Sequence, residues 1–186
     1  MPPRVKVTKE DIVNAAVQIV RQQGDQAINA RALADALNCS TQPIFSNFST
    51  MEELHLAVIE KAGAVYNGYI AREITAGKYP AYKASGMAYI RFAKEEKELF
   101  KLLYMCDRAG QPHPEDAESF NQMADMIKNS TGMETEQTRL FHLEMWAYVH
   151  GIATMFATGF LDLEWELVSC MLTDAYQGLR KQYGKE

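Results

Sequence analysis

The sequence predicts an all-α protein: three short helices, then a long helix that leads into a larger helical bundle, about nine helices in all. Three observations carry this. Apolar residues recur at spacings of three and four along most of the chain, and the strict alternation of a half-buried strand is absent. Ser, Thr and Asn also stand where helices would begin, and Gly and Pro where they would break. With 186 residues, 47% hydrophobic and 23% charged, the chain suits one ordinary globular unit or two small ones sharing an interface.

The first helix runs from Thr8 to Gln23, with Ile12, Ala15, Ala16, Ile19 and Val20 on one stripe. Thr8 is its N-cap, Glu10 and Asp11 lie where the helix dipole favours acids, and Gly24 ends it. Asn29 caps a second helix, Ala30 to Leu37, which buries Leu33, Ala34 and Leu37. Ser40 or Thr41 caps a third that reaches Phe48, with Pro43 in the first turn where its missing N–H costs nothing. Thr50 and Glu53 form a capping box that opens the fourth and long helix, residues 51 to 76. Gly63 and Gly68 within it cost roughly 1 kcal/mol each relative to alanine. After Gly77, Pro80 starts a fifth helix to Lys94, a sixth spans Lys97 to Cys106, and DRAGQPHP reads as loop. The last three cover residues 115 to 129, 135 to 158 and 163 to 183, divided by NSTG and by the turn at Gly159 to Asp162.

The stretch NCSTQPIFSNFSTMEEL, residues 38 to 54, raises the functional question. A helix pair joined by the tight turn NCST, whose second helix is too polar to be core, is the pattern of helix-turn-helix DNA binding. The second helix of such a pair presents short polar side chains to base edges in the major groove, while a few apolar residues anchor it from behind. Here Ile44, Phe45 and Phe48 are expected to anchor, and Thr41, Gln42, Ser46 and Asn47 to face outward. Caps at Asn29, Ser40 and Thr50 leave helix N-terminal N–H groups for phosphates. An ordinary helical hairpin with a polar surface fits the same spacing.

ADALNCSTQPIFSNFSTMEEL, preceded by DIVNAAVQIVRQQGDQAINARALA, resembles the N-terminal domain of the TetR family of transcription regulators. That family's motif reads roughly A-x-x-x-G-V-S-x-x-x-L-Y-x-H-F-x-x-K-E-x-L. The chain supplies Ala34, Cys39 for the valine, Ser40, Ile44 for the leucine, Phe45 for the tyrosine, Asn47 for the histidine, Phe48, Glu52 and Leu54, and the likeness covers residues 8 to 61. The resemblance implies a DNA-binding domain over 1–50 and an effector-binding and dimerising domain over 51–186. The residues it places at the DNA are Asn29, Arg31, Ser40, Thr41, Gln42, Pro43, Phe45, Ser46, Asn47 and Met51. Three departures bear on this. Asn38 replaces the glycine of the turn, and asparagine is the next best residue for a left-handed backbone. Phe45 lacks the tyrosine hydroxyl, and Met51 replaces a lysine that reaches the DNA backbone. Residues 1 to 50 carry five basic and four acidic side chains, a net of +1, so ionic contacts should be few and salt dependence shallow. Arg4, Lys6 and Lys9 can serve as a basic arm.

AYIRFAKEEKELFKLLY (88 to 104) and WAYVHGIA (146 to 153) resemble a variant of the TetR-type C-terminal domain marked by Trp and His-Gly, here Trp146, His150 and Gly151. Trp146 and His150 share a helix face, and His150 reads equally as a hydrogen-bonded core histidine or a ligand contact. The many aromatic and methionine side chains read as core. In this family context Met87, Phe92, Tyr104, Phe120, Met123, Trp146 and His150 are also candidates for lining a pocket for an unknown small-molecule effector. Leu143, Ala147 and Met155 on one late helix, and Val168, Met171, Leu172, Ala175 and Leu179 on the other, form faces suited to a homodimer or to packing within one chain.

Other classes find little support. Glu52 and His55 make a single Glu-x-x-His, where helical di-iron sites need two, and His142 and His150 lack HExxH spacing. GxSxG, P-loop and GxGxxG motifs do not occur, so neither an enzyme, a metal nor a cofactor is expected. Cys39, Cys106 and Cys170, without any CxxC, predict buried, reduced thiols. No apolar run approaches the roughly 20 residues of a membrane helix, and MPPRVKVTKEDIV lacks a signal peptide's apolar stretch, so a cytoplasmic address without membrane contact is expected. The expected function is a ligand-responsive regulator, a repressor that binds palindromic double-stranded DNA as a homodimer. The alternatives are a helical ligand-binding protein whose DNA head has weakened and, less well supported, a helical-bundle enzyme.

Overall fold

The computed structural model describes residues 7 to 106 and 118 to 183. Among them every regular element is helical: α1 Lys9–Gln23, a short 3-10 turn Asp25–Ala27, α2 Ala30–Ala36, α3 Gln42–Asn47, α4 Met51–Ala76, α5 Ala81–Glu95, α6 Lys97–Tyr104, α7 Glu118–Thr131, α8 Thr135–Thr158 and α9 Trp165–Tyr183. The loop predicted over DRAGQPHP lies outside the described residues, as do Arg4 and Lys6. Two compact units divide the chain. One holds the described part of 1–67 with Glu96–Cys106, the other Gly68–Glu95 with the described part of 107–186. The chain passes from the first to the second within α4.

In the first unit the caps do the local work. The Thr8 hydroxyl accepts from the Asp11 N–H at 3.1 Å and the Asp11 carboxylate accepts from the Thr8 N–H at 2.9 Å, so α1 opens on a full capping box. Its buried face is Ile12, Ala16, Val17, Ile19 and Val20, which adds Val17 to the expected stripe and leaves Ala15 only half-buried. Asn29 caps α2 by accepting from the Arg31 and Ala32 N–H groups. At the turn Asn38 takes a left-handed backbone, φ +49°, as the asparagine-for-glycine exchange predicts. The Thr50 hydroxyl accepts from the Glu53 N–H at 3.1 Å, but the Glu53 carboxylate reaches back one residue further than expected, to the Ser49 N–H at 2.8 Å. Leu33, Ile44, Phe48, Leu54 and Val58 are buried with the α1 stripe. From α6, Leu99, Phe100 and Leu102 are also buried, and Glu96 just before it accepts a two-pronged pair from Arg21 at 2.8 and 2.7 Å.

The second unit is a bundle of α5, α7, α8 and α9 with the last part of α4. Met87, Tyr89, Ile90 and Phe92 of α5 and Phe141, Met145, Ile152 and Phe156 of α8 are buried. Gly86 allows a close crossing, since a Cβ there would lie 3.5 Å from both Leu172 and Val149 side chains. Gly151 has no such role within the described chain, where an added Cβ would meet nothing within 4 Å. A charged cluster ties four segments together. Arg91 donates to the buried Glu73 of α4 at 2.6 Å, lies 3.6 Å from Glu95, and its guanidinium sits 4.3 Å over the Trp165 ring of α9. Trp165 stacks on Phe156 of α8 with centroids 5.8 Å apart. The cysteines depart from expectation: all three are free, but Cys39 is half-buried and Cys106 and Cys170 are exposed. Cys106 follows the end of α6, and Cys170 lies on the solvent side of α9, two residues from the buried Val168 and Leu172.

Candidate functional site

The helix-turn-helix is built by α2, the turn 37 to 41, and α3. Within the turn the Asn38 N–H donates to the Asp35 carbonyl at 3.2 Å and the Cys39 N–H to the Ala34 carbonyl at 3.0 Å. Ile44 (0% exposed) and Phe48 (2%), four apart, define the inward side of α3. Ser40, Thr41, Gln42 and Ser46 are exposed, Pro43 and Met51 half-buried, and Asn29 and Arg31 exposed at the start of α2. Ser46 donates its hydroxyl proton to the Gln42 carbonyl at 2.9 Å. Lys9 pairs with Glu53 at 3.0 Å and lies 4.6 Å over the Phe48 ring. That lysine, and then the Ser49 N–H, hold the Glu53 carboxyl below its usual range.

Two side chains of α3 reverse their expected directions. Phe45, expected to anchor, is 54% exposed on the outer face. Asn47, expected outside, is half-buried and its amide donates to the Pro43 carbonyl at 2.8 Å and the Val7 carbonyl at 3.4 Å. The reason is geometric. Once Ile44 and Phe48 point inward, position 45 is turned about 100° away, and Asn47, one turn after Pro43, lies within reach of that residue's carbonyl and of the Val7 carbonyl. Asn29 is also less available than expected, because its side chain already takes the Arg31 and Ala32 N–H groups.

In the bundle, two tyrosine–histidine pairs join α5 to α8. Tyr82 is hydrogen-bonded to His142 Nδ1 and Tyr89 to His150 Nδ1, each at 2.9 Å. His150 stacks on Trp146, centroids 5.1 Å apart, and Phe120 of α7 lies 4.3 Å from His142. Neither pair is expected from the sequence, where Tyr82 carries no expectation, Tyr89 reads as one of the core aromatics and His142 is weighed only as a metal ligand. A signal exists: the tyrosines are seven residues apart and the histidines eight, two helical turns each, as two helices running side by side in one direction require. Of the candidate effector residues, Met87 and Phe92 are wholly buried core and Phe120 is buried, while Met123, Trp146 and His150 are partly exposed. Tyr104 does not join them; it belongs to the first unit, where its ring meets Tyr66 edge-on at 5.9 Å. A groove of about 650 Å³ between α7, α8 and α9 is bordered by Phe120, Leu143 and Tyr183.

Burial holds His142 well below the ordinary histidine value, to about 4, and lowers His150 as well. A depressed histidine contributes stability that is complete above the unfolded value near 6.5 and is lost as pH falls through the folded one. Between about pH 6.5 and 4 the unfolded chain takes up a proton that the folded chain refuses, so His142 alone gives a slope of up to ~1.4 kcal/mol per pH unit. Denaturant midpoints at pH 7, 6 and 5 should therefore fall more steeply for the parent than for His142→Gln. Parallel slopes would contradict the assignment.

The dimer faces separate into two groups. Val168 (0% exposed) and Leu172 (3%) are spent inside the bundle, correcting their assignment to an outer face. Ala175 and Leu179 pack against the buried cluster of Ile127, Met133, Phe141 and Met145, and Met171 is half-buried. Leu143, Ala147 and Met155 remain exposed, joined by Leu140 and Tyr148 on α8 and Leu167 on α9. The apolar stripe left uncovered thus lies mainly on α8.

Among the described residues no helix is long and apolar enough to cross a membrane. The profile of the tetracyclin repressor-like C-terminal domain matches residues 82–171. The fold is similar to that in the crystal structure of the multidrug binding protein EbrR complexed with imidazole, with a TM-score of 0.57 at 15% identity over 90% of this chain and 93% of that one. No curated protein matches the chain.

Proposed function

We propose that the chain, whose residues 82–171 match the tetracyclin repressor-like C-terminal domain, is a TetR-family, ligand-responsive, DNA-binding transcription regulator of the cytoplasm. In this reading it represses by holding a palindromic operator as a homodimer and releases it when a small-molecule effector binds. The observation that carries the reading is the outer face of α3. There Thr41, Gln42 and Phe45 stand out from a helix whose inner side is fixed by Ile44 and Phe48. Residues 36 to 51 hold no charged side chain, so the surface meant for a polyanion carries no carboxylate to repel it.

The uncovered apolar stripe of α8 supports the dimer. An isologous contact through Leu140, Leu143, Ala147 and Met155 would relate two heads by a twofold axis, about 34–36 Å apart or a turn-multiple of that. The effector would enter among α5, α7 and α8, near Phe120, Met123, Trp146 and His150. EbrR is a multidrug binding protein, which supports a small molecule in that role. Coupling requires only that the effector favour one spacing of the heads over another, and α4 is the segment common to both units. A weakened head is the second reading, favoured by the missing tyrosine hydroxyl at Phe45 and the inward turn of Asn47.

Selection of duplexes from a random pool by the whole chain at low ionic strength tests the proposal. A twofold-symmetric consensus bound by two chains is expected. A recovered pool no richer in any sequence than the starting one would reject it in favour of the weakened head.

A further inference from the structure

Phe45 is the one large apolar side chain on the outer face of α3, 54% exposed, and it has no hydrogen-bonding atom. Its neighbours on that helix are already committed: Ser46 donates to the Gln42 carbonyl and Asn47 to the Pro43 carbonyl. Thr41 and Phe45 are four apart and Gln42 and Phe45 three apart, so these three share a face. An exposed ring on a surface without carboxylates has one apolar feature to meet in a major groove, the C5-methyl group of thymine, which marks A·T pairs there. We propose that Phe45 is a specificity-determining residue that reads a thymine methyl in each half of the operator. The inference rests on the DNA-binding reading above and assigns to Phe45 a contact with a base, in place of the phosphate contact that a tyrosine hydroxyl could make.

The ring and Gln42 then divide the task. Gln42 offers donor and acceptor atoms to a base edge, and Phe45 adds a test for a methyl group that hydrogen bonding cannot supply. Removing one buried methyl from the contact should weaken binding about fourfold, and removing the ring should abolish that discrimination without unfolding the head.

Fluorescence anisotropy on the duplex recovered by selection, with each thymine replaced in turn by deoxyuridine, tests this. For the parent chain, one replacement in each half-site is expected to cost about fourfold, whereas Phe45→Ala binds both duplexes alike and Phe45→Leu keeps the discrimination. Unchanged thermal unfolding of Phe45→Ala is part of the expected result. A parent chain indifferent to every deoxyuridine, a recovered site without thymine, or a Phe45→Ala variant as discriminating as the parent would overturn the inference while leaving DNA binding standing. A change in sedimenting mass for Phe45→Ala would assign the ring to a contact between copies and overturn it as well. A selection that recovers no duplex removes the DNA-binding reading itself, and this inference with it.

Discussion

Arg91→Ala is expected to lower the stability of the second unit by about 3–5 kcal/mol. Glu73 is only 8% exposed and its carboxylate accepts from Arg91 Nε at 2.6 Å. Deleting the guanidinium leaves a carboxylate out of water with its principal counter-charge gone, and that asymmetry, more than the strength of the pair itself, sets the cost. The stack on Trp165 is lost in the same step. Arg91→Lys keeps the charge but not the planar fork, so it should lie between parent and alanine. Arg91→Met combined with Glu73→Gln should recover much of the loss, because no uncompensated charge remains. The measurement is convenient: the chain has two tryptophans, Trp146 and Trp165, and both belong to this unit. Denaturant unfolding followed by tryptophan fluorescence reads the effect, and a loss under about 1 kcal/mol for Arg91→Ala would mean that the buried pair is not formed in solution.

Phe48→Ala is expected to cost about 3–5 kcal/mol in the first unit and to eliminate DNA binding. The ring is 2% exposed, at the junction between α3 and α4, beneath the Lys9 ammonium. The cost has a transfer part, the apolar surface returned to water, and a cavity part, because the neighbouring helices can close only partly over the gap. α3 has six residues and cannot persist without its anchors, so its orientation goes with them. Hydrogen exchange should show protection falling in α3 and at the start of α4. Unchanged protection there would show that Ile44 alone suffices to hold the helix.

Much of this architecture was legible in the sequence, and the reasons are local. Thr8 with Asp11, Asn29, and Thr50 with Glu53 announce helix starts because each can satisfy free N–H groups nearby, and all three sites do so. The Trp, His-Gly stretch lies within the segment that matches the tetracyclin repressor-like C-terminal domain. The rotation of α3 was not legible. Six residues make fewer than two turns, too few for periodicity to decide between Phe45 and Asn47, and the inward turn of Asn47 depends on carbonyls whose positions only the folded chain fixes. Arg91 and Glu73 stand 18 residues apart on different helices, and no spacing rule links them. Val168 and Leu172 read as an outer face because an apolar stripe looks alike whether its partner is α5 and α8 of the same chain or a second copy.

The outer face of α3 as a reader of base edges is most directly tested by measuring the base preference at every position of the recovered site, for the parent chain and for Gln42→Ala. The account predicts that Gln42→Ala loses about 1–3 kcal/mol of discrimination at one base pair in each half-site and leaves the other positions unchanged. Equal weakening on all sequences, or a preference identical to the parent's, would contradict it.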